Sequence, residues 1–232
     1  MTVPSPASQP ADKRISIICN PFAGRGKASK LAKEAVKFCK QQQWQVNPPL
    51  HSEYAGQIEN EFAAQVAQCS DMVILIGGDG TLRELIAGLR KSQIKPDIAF
   101  IPMGNANVVA RELNIPLNPY KALKMLAHSH AIWVDIGILH QSNNTTNTHD
   151  ALGTENTLIF LAMLEIGFGA KIVHLVNQLR LGRFSRLYQF WGDIVYAIAG
   201  LLAFMQQKSA KLKLSANNQQ IESRHLVIAN MK

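Results

Sequence analysis

Three short, largely apolar runs each lead straight into a glycine-bearing loop. RISIIC (14–19) meets NPFAGRG (20–26), MVILI (72–76) meets GGDGT (77–81), and DIAFI (97–101) meets PMGNAN (102–107). A continuous apolar run of this length is the mark of a strand covered on both faces, as in a parallel sheet. Helix-length amphipathic stretches separate the runs. KASKLAKEAVKFCKQQ (27–42) has Leu31, Val36, Phe38 and Cys39 at apolar positions and turns Lys30, Lys33, Lys37 and Lys40 to water. Further helices are predicted over 56–69, 82–90, 106–113 and 119–128, with a weak strand at 44–46 and AIWVDIGIL (131–139) closing the set. Strand alternating with helix argues an α/β domain of Rossmann-like character. Ligands of such sheets bind outside the carboxyl ends of the strands, so the three loops point to one site.

The alternation stops near residue 138. QSNNTTNTHDALG (141–153) reads as a polar loop, and beyond it come a strand TLIFLAML (157–164), a glycine turn and two helical stretches. AKLKLSANNQQIESRHLVIA then reads as a hairpin around Asn217 and Asn218. The expectation is two domains, a nucleotide-binding α/β domain over 14–138 and a mostly β, sandwich-like domain over 139–232, after a disordered lead-in at 1–13. At 47% hydrophobic and 17% charged residues the chain is globular in composition. Cys19, Cys39 and Cys69 form no CxxC pair and the histidines no HExxH, which argues against a disulfide framework and a zinc site. The apolar run 194–205 is too short to cross a bilayer as a helix, which takes about 20 residues.

Glycine lets backbone amides approach a phosphate, and the helix that follows adds a favourable dipole. Neither common phosphate motif fits. A Walker loop would need glycine at Pro21 and a hydroxyl at Ala28, and a GxGxxG fingerprint fails at Ser29. Thr81 and Glu84 also satisfy the Thr-x-x-Glu capping box, which by itself explains both as a helix start.

Taken together, NPFAGRG, GGDGTLREL, IPMGNANVVARELNIP, WVDIG (133–137), FLAMLEIGFGAKIV (160–173) and LGRFSRLYQF (181–190) resemble, in order, the catalytic domain of the diacylglycerol kinase and sphingosine kinase family. That family is distantly related to NAD kinases that share the GGDG loop. The resemblance implies transfer of the γ-phosphate of ATP to a lipid hydroxyl with Mg²⁺. It also implies that Asn20, Pro21, Gly24 and Ser52 line the nucleotide, and that Gly77, Gly78, Gly80 and Thr81 cradle the triphosphate. Glu84, Gly104, Asn105 and Asn107 join that set, and Asp79 is the expected catalytic and metal-binding residue. Phosphoryl transfer is mostly positioning and charge neutralisation, which suits backbone donors around one carboxylate.

The chain departs from the family pattern at several points. Asn105 replaces a threonine, Ala23 a serine, and Arg83 stands where asparagine is common. The family's later glycine-rich segment, DG motif and proposed general base are expected beyond Lys232, so the second domain reads as C-terminally truncated. A chain so cut is expected to bind ATP more readily than it phosphorylates lipid.

A net charge of +8 suits a phosphate-rich partner. Between 171 and 213, Lys171, Arg180, Arg183, Arg186, Lys208, Lys211 and Lys213 interleave with Phe184, Tyr188, Phe190, Trp191 and Tyr196. The expected partners are a lipid substrate and an anionic membrane, touched peripherally at its inner, cytoplasmic face. Nucleic acid is not expected, because the lysines of 27–42 lie on the face opposite an apolar stripe, with no aromatics interleaved among them. Two alternatives stay open: a NAD-kinase-like phosphotransferase on a soluble acceptor, and a non-catalytic nucleotide-binding fragment.

Overall fold

The computed structural model describes residues 13–141, 156–166, 212–216, 219–223 and 226–230. The lead-in, the polar stretch after 141 and residues 167–211 lie outside them, and with them the two helical stretches, run 194–205 and nearly all of the basic, aromatic segment.

The first half forms the parallel sheet that the apolar runs predict. Strand β1 (Arg14–Cys19) pairs with β4 (Met72–Gly77), which pairs with β5 (Asp97–Pro102), all parallel. On its other edge β1 takes two short strands in succession, β2 (Gln45–Val46) and β3 (Leu50–His51). Pro48 and Pro49 fall between them, and a residue without an N–H cannot continue a ladder. Strand β3 was not predicted; two residues are too few to carry a periodic signal.

Helix α1 (Ala28–Gln41) packs on one face of the sheet through Ala28, Leu31, Ala32, Ala35 and Cys39, while its four predicted lysines are exposed. Val36 and Phe38 are only half-buried, and Phe38 meets the Trp44 ring edge-on at 5.9 Å. This layer and helix α5 (Pro119–Met125) cover Ile15, Ile17, Ile74, Ile76 and Ile101. Fully burying each such side chain contributes about 1.5–3 kcal/mol. The opposite face holds Val73, Leu75 and Phe100, also buried, so both faces of β4 are covered as its sequence requires. Burial pushes the Cys19 thiol up to about 11 and the Cys39 thiol up to about 12. Both are core residues without reactive character.

The predicted helix 56–69 is a π-turn (Ile58–Phe62) leading into α2 (Ala63–Cys69). Helix α3 (Asp79–Leu89) starts three residues earlier than predicted, and α4 (Val108–Glu112) is short. At α5 the Asn118 side chain accepts from the amides of Tyr120 and Lys121, with Pro119 in the first helical position.

Two further expectations need correction. AIWVDIGIL does not form one strand closing the parallel set. Residues 131–135 are exposed, Trp133 fully so, and β6 (Gly137–Gln141) pairs antiparallel with β7 (Asn156–Phe160). TLIFLAML does not run straight either. It bends at Leu161 and Ala162 because its halves have different partners: β7 takes β6, and β8 (Met163–Ile166) takes β11 (Leu226–Ala229). The hairpin is where the sequence places it, with β9 (Leu212–Ala216) antiparallel to β10 (Gln219–Ser223) on either side of residues 217–218. By compactness the chain divides into Met1–Leu161 with Lys232, and Ala162–Met231. Among the described residues no helix is long and apolar enough to cross a membrane.

Candidate functional site

The three glycine loops meet at the carboxyl ends of β1, β4 and β5, and the backbone itself joins them. Asn20 donates its amide to the Ile76 carbonyl (3.0 Å), which carries the β1–β4 ladder one residue into the loop. Its Oδ1 accepts from the Phe22 amide (3.0 Å), and its Nδ2 donates to the Thr81 hydroxyl (3.3 Å). Pro21 is half-buried in the turn that follows. Gly24, Arg25 and Gly26 then adopt left-handed φ angles of 58°, 56° and 82° in succession. Gly24 donates to the Met103 carbonyl (2.8 Å), tying the first loop to the third.

The second and third loops touch backbone to backbone. A Cβ on Gly104 would lie 2.8 Å from the Gly78 Cα and 2.9 Å from the Asn107 Oδ1. Only two glycines fit so close an approach. Asn107, buried and left-handed at φ 48°, folds its amide back on the loop: Oδ1 accepts from Gly104 N (2.9 Å) and Nδ2 donates to Gly104 O (2.8 Å). Asn105 is exposed at the loop tip and makes no side-chain hydrogen bond among the described residues.

Asp79 has a defined place at this junction. Its Oδ2 accepts from the Val108 amide and its Oδ1 from the Val109 amide, each at 3.1 Å. Asn107 holds the N-cap position of α4 without capping it, so the carboxylate of Asp79 caps α4 from the neighbouring loop.

Thr81 and Glu84 do not form the capping box expected of them. The N-cap of α3 is Gly78, which has no side chain to offer; Thr81 stands at the third helical position, and its hydroxyl accepts from Asn20. The first-turn amides of α3 therefore have no side-chain cap. An uncapped helix N-terminus of this kind is able to receive an anion. The cations Arg25, Lys27 and Arg83 are exposed, without ion pairs among the described residues. Gly80 is exposed in the same turn, and Gly77 packs directly under the Thr81 side chain, where a Cβ would lie 2.7 Å from it.

Beside this junction is a cavity of about 240 Å³. Asn20, Ser52, Thr81 and Glu84 line it, so four of the site residues expected from sequence gather around one cavity. Ser52 follows β3, and its amide donates to the Cys19 carbonyl (3.0 Å). Its residue surface is 6% exposed, and its hydroxyl has no hydrogen-bond partner among the described residues. Phe22 and Tyr54 line the cavity as well, and neither was expected from sequence. The signal that could have found them is an aromatic residue set among the polar positions of a glycine loop. Tyr54 donates its phenol hydrogen to the Glu61 carboxylate, which raises the phenol's pKa and lowers that of Glu61.

These residues fit a nucleotide better than a dedicated metal centre. Uncapped amides and free cations suit a phosphate chain. Among the described residues no three metal-ligating side chains gather, and both oxygens of Asp79 already accept amides.

The family model of the diacylglycerol kinase catalytic domain matches residues 14–139, more than half of the chain and all three loops. The chain belongs to this family. A diacylglycerol kinase of Staphylococcus carnosus is 25% identical over 207 residues, covering 89% of this chain and 60% of that protein. One from Staphylococcus saprophyticus is 30% identical over 125 residues, covering 54% of this chain and 41% of that protein. The matched part of the chain thus spans 60% and 41% of the length of these two relatives. A crystal structure of a diacylglycerol kinase from Bacillus anthracis strain Sterne superposes with a TM-score of 0.60 at 22% identity, over 94% of this chain and 64% of that one. At that identity the likeness is one of fold.

Proposed function

We propose that the chain transfers the γ-phosphate of ATP to the hydroxyl of a diacylglycerol- or sphingosine-like lipid. The observation that carries this reading is the convergence of the loops, with Gly78 against Gly104 and Gly24 hydrogen-bonded to Met103. In this reading residues 14–138 hold the nucleotide and 139–232 the lipid. The first-turn amides of α3, Gly80 and Thr81 among them, take the phosphate oxygens, while Arg25, Lys27 and Arg83 supply positive charge. Asn20, Pro21, Gly24, Gly77, Gly78, Gly104 and Asn107 shape the cradle, and Asn105 reaches the phosphates from the loop tip. Ser52 and Glu84 contact the nucleotide from the cavity.

Asp79 serves as the carboxylate of the transfer site, holding the amide end of α4 against the cradle. For it to take Mg²⁺ as well, one oxygen would have to exchange its amide for the ion. An acceptor that lives in a bilayer, together with the net charge of +8, supports a peripheral position on the anionic, cytoplasmic membrane face.

The test supplies the full chain with ATP labelled in the γ-phosphate and Mg²⁺, and with diacylglycerol, sphingosine or NAD as acceptor, the lipids in mixed micelles. Labelled lipid is the expected product. Label only in NAD moves the acceptor to a soluble molecule. ADP binding with no transfer to any acceptor removes the kinase reading.

A further inference from the structure

The two faces of the parallel sheet are covered by layers of different charge. On the face covered by α1 and α5, Lys30, Lys33, Lys37 and Lys40 form an exposed row along α1, and Lys121 and Lys124 are exposed on the neighbouring α5. Glu34 is the single acid of α1 and is held by Lys37 at 3.2 Å, and α5 has none. The other lysines of this face make no ion pair among the described residues. On the opposite face the π-turn and α3 mix the signs. Glu59, Glu61 and Glu84 stand there with Arg83, and Glu59 meets Lys91 at 3.5 Å.

The α1 row is unfavourable for the helix that carries it. Lysines three and four residues apart repel, and Lys30 lies in a first turn that has no acid to meet the helix dipole. An anion outside the chain offsets that repulsion. From Lys30 to Lys40 the row runs about 15 Å along the helix, too far for one phosphate group and suited to an extended anionic surface. It contains no arginine and no stacking aromatic, since Phe38 packs edge-on against Trp44. Nucleic-acid surfaces use both, whereas lysine, a hydrated point charge, suits the diffuse field of a bilayer. Beside Lys121 and Lys124, the residues Leu117, Tyr120 and Met125 leave apolar surface in water. Basic and apolar side chains on one surface suit the boundary between lipid headgroups and acyl chains.

We propose that the lysine row of α1, continued by Lys121, Lys124 and Tyr120 of α5, is the surface that docks this protein on an anionic bilayer. The proposal rests on the peripheral membrane position given above and assigns it a surface. The first glycine loop runs straight into α1, so the docked face begins at the edge of the candidate site.

Sedimentation of the full chain with vesicles of phosphatidylcholine, with and without phosphatidylglycerol, tests the surface. Wild type is expected to bind only the anionic vesicles, and less tightly as salt is raised. Glutamine keeps the helix propensity of lysine. The triple variant Lys30→Gln, Lys33→Gln, Lys40→Gln is therefore expected to stay folded and to bind about a hundredfold more weakly, about fivefold for each lysine removed. A matched triple after α3, Arg90→Gln, Lys91→Gln, Lys95→Gln, lowers the net charge equally and should bind as wild type. Equal losses in the two triples overturn the proposal, since net charge alone would then drive binding. So does an α1 triple that binds as wild type, or a wild type that ignores anionic vesicles. Preferential binding of wild type to a DNA duplex, lost in the α1 triple, assigns the row to nucleic acid and overturns the proposal as well. Transfer from ATP to a water-soluble, short-chain diacylglycerol separates docking from the kinase reading. The α1 triple should keep the wild-type rate on that acceptor; a loss there would place the lysines in the transfer site instead. Vesicle binding through α1 without transfer keeps the docking surface and removes the kinase, and transfer without vesicle binding does the reverse.

Discussion

The two ends of the parallel sheet carry similar polar residues and treat them in opposite ways. At the amino end Lys13, Arg14, Ser16, Asn47, Ser70, Asp71 and Asp97 all have polar partners. Arg14 and Asp71 join at 2.8 Å, and Lys13 reaches Asp97 at 3.7 Å. Inside them Ser16 accepts from Ser70 (2.6 Å) and from Asn47 (2.9 Å), with Cys69 against the same group. At the carboxyl end the Ser52 hydroxyl, the first-turn amides of α3 and the cations Arg25 and Arg83 have no such closure among the described residues. Buried polar groups left open are costly, so a fold keeps them where a ligand completes them. The closed end stabilises the sheet, and under the proposed function the nucleotide completes the groups of the open end.

The largest expected effect comes from the contact that shapes the open end. In Gly104→Val the new side chain would collide with Gly78 and Asn107. Parting the loops by about an ångström should cut ADP affinity about a hundredfold. Calorimetric titration with ADP checks it, and near-normal binding would show that the loop contact does not shape the site. Asp79→Ala comes next. It leaves the Val108 and Val109 amides without their acceptor, which should cost about 1–2 kcal/mol in urea denaturation. Asp79→Asn retains one acceptor oxygen and should recover part of that loss.

A matched pair of serines tests the comparison directly. Ser16→Ala breaks the closed network and should cost about 1–3 kcal/mol of stability with ADP affinity unchanged. Ser52→Ala removes a hydroxyl with no partner among the described residues, so stability should stay within about 0.5 kcal/mol. Its ADP affinity should fall about fivefold, the worth of one hydrogen bond to the ligand. If the two variants exchange these phenotypes, the distinction between the ends is lost.

The smallest effect is acid sensitivity at the closed end. Hydrogen bonds from Arg14 hold the Asp71 carboxyl below its ordinary value, so the folded state binds fewer protons there. That stabilisation is present above about pH 4, the ordinary range of an aspartate, and is lost as pH falls through the depressed value. The difference in urea midpoint between wild type and Asp71→Asn should therefore shrink toward zero on acidification from neutral pH, and only slightly in absolute terms because the pair is exposed.

How far the sequence could be read differs by element. MVILI and DIAFI announced buried parallel strands because a run covered on both faces needs no alternation. The α1 lysines faced water as their spacing required. AIWVDIGIL was misread because a short apolar run carries no information about its partner, and the same ignorance hid the bend between β7 and β8. The meeting of the glycine loops at one end of the sheet was legible, but Thr81 and Glu84 were misread as a cap. The capping motif is local, and here Gly78 begins the helix under constraint from Gly104, a residue far along the chain. Phe22 and Tyr54 went unnoticed because an aromatic in a loop has meaning only beside the groups it faces.

By itself the sequence determined the parallel sheet, the placing of the three glycine loops at one end of it, and the family. These follow from short-range patterns: apolar run, glycine, then amphipathic helix. Tertiary structure alone decided that Asp79 spends both oxygens on α4, that Ser52 is buried without a partner among the described residues, and that two aromatic rings stand beside it. Those facts depend on which hydrogen bonds close across strands and loops, and residues far apart in sequence supply the partners.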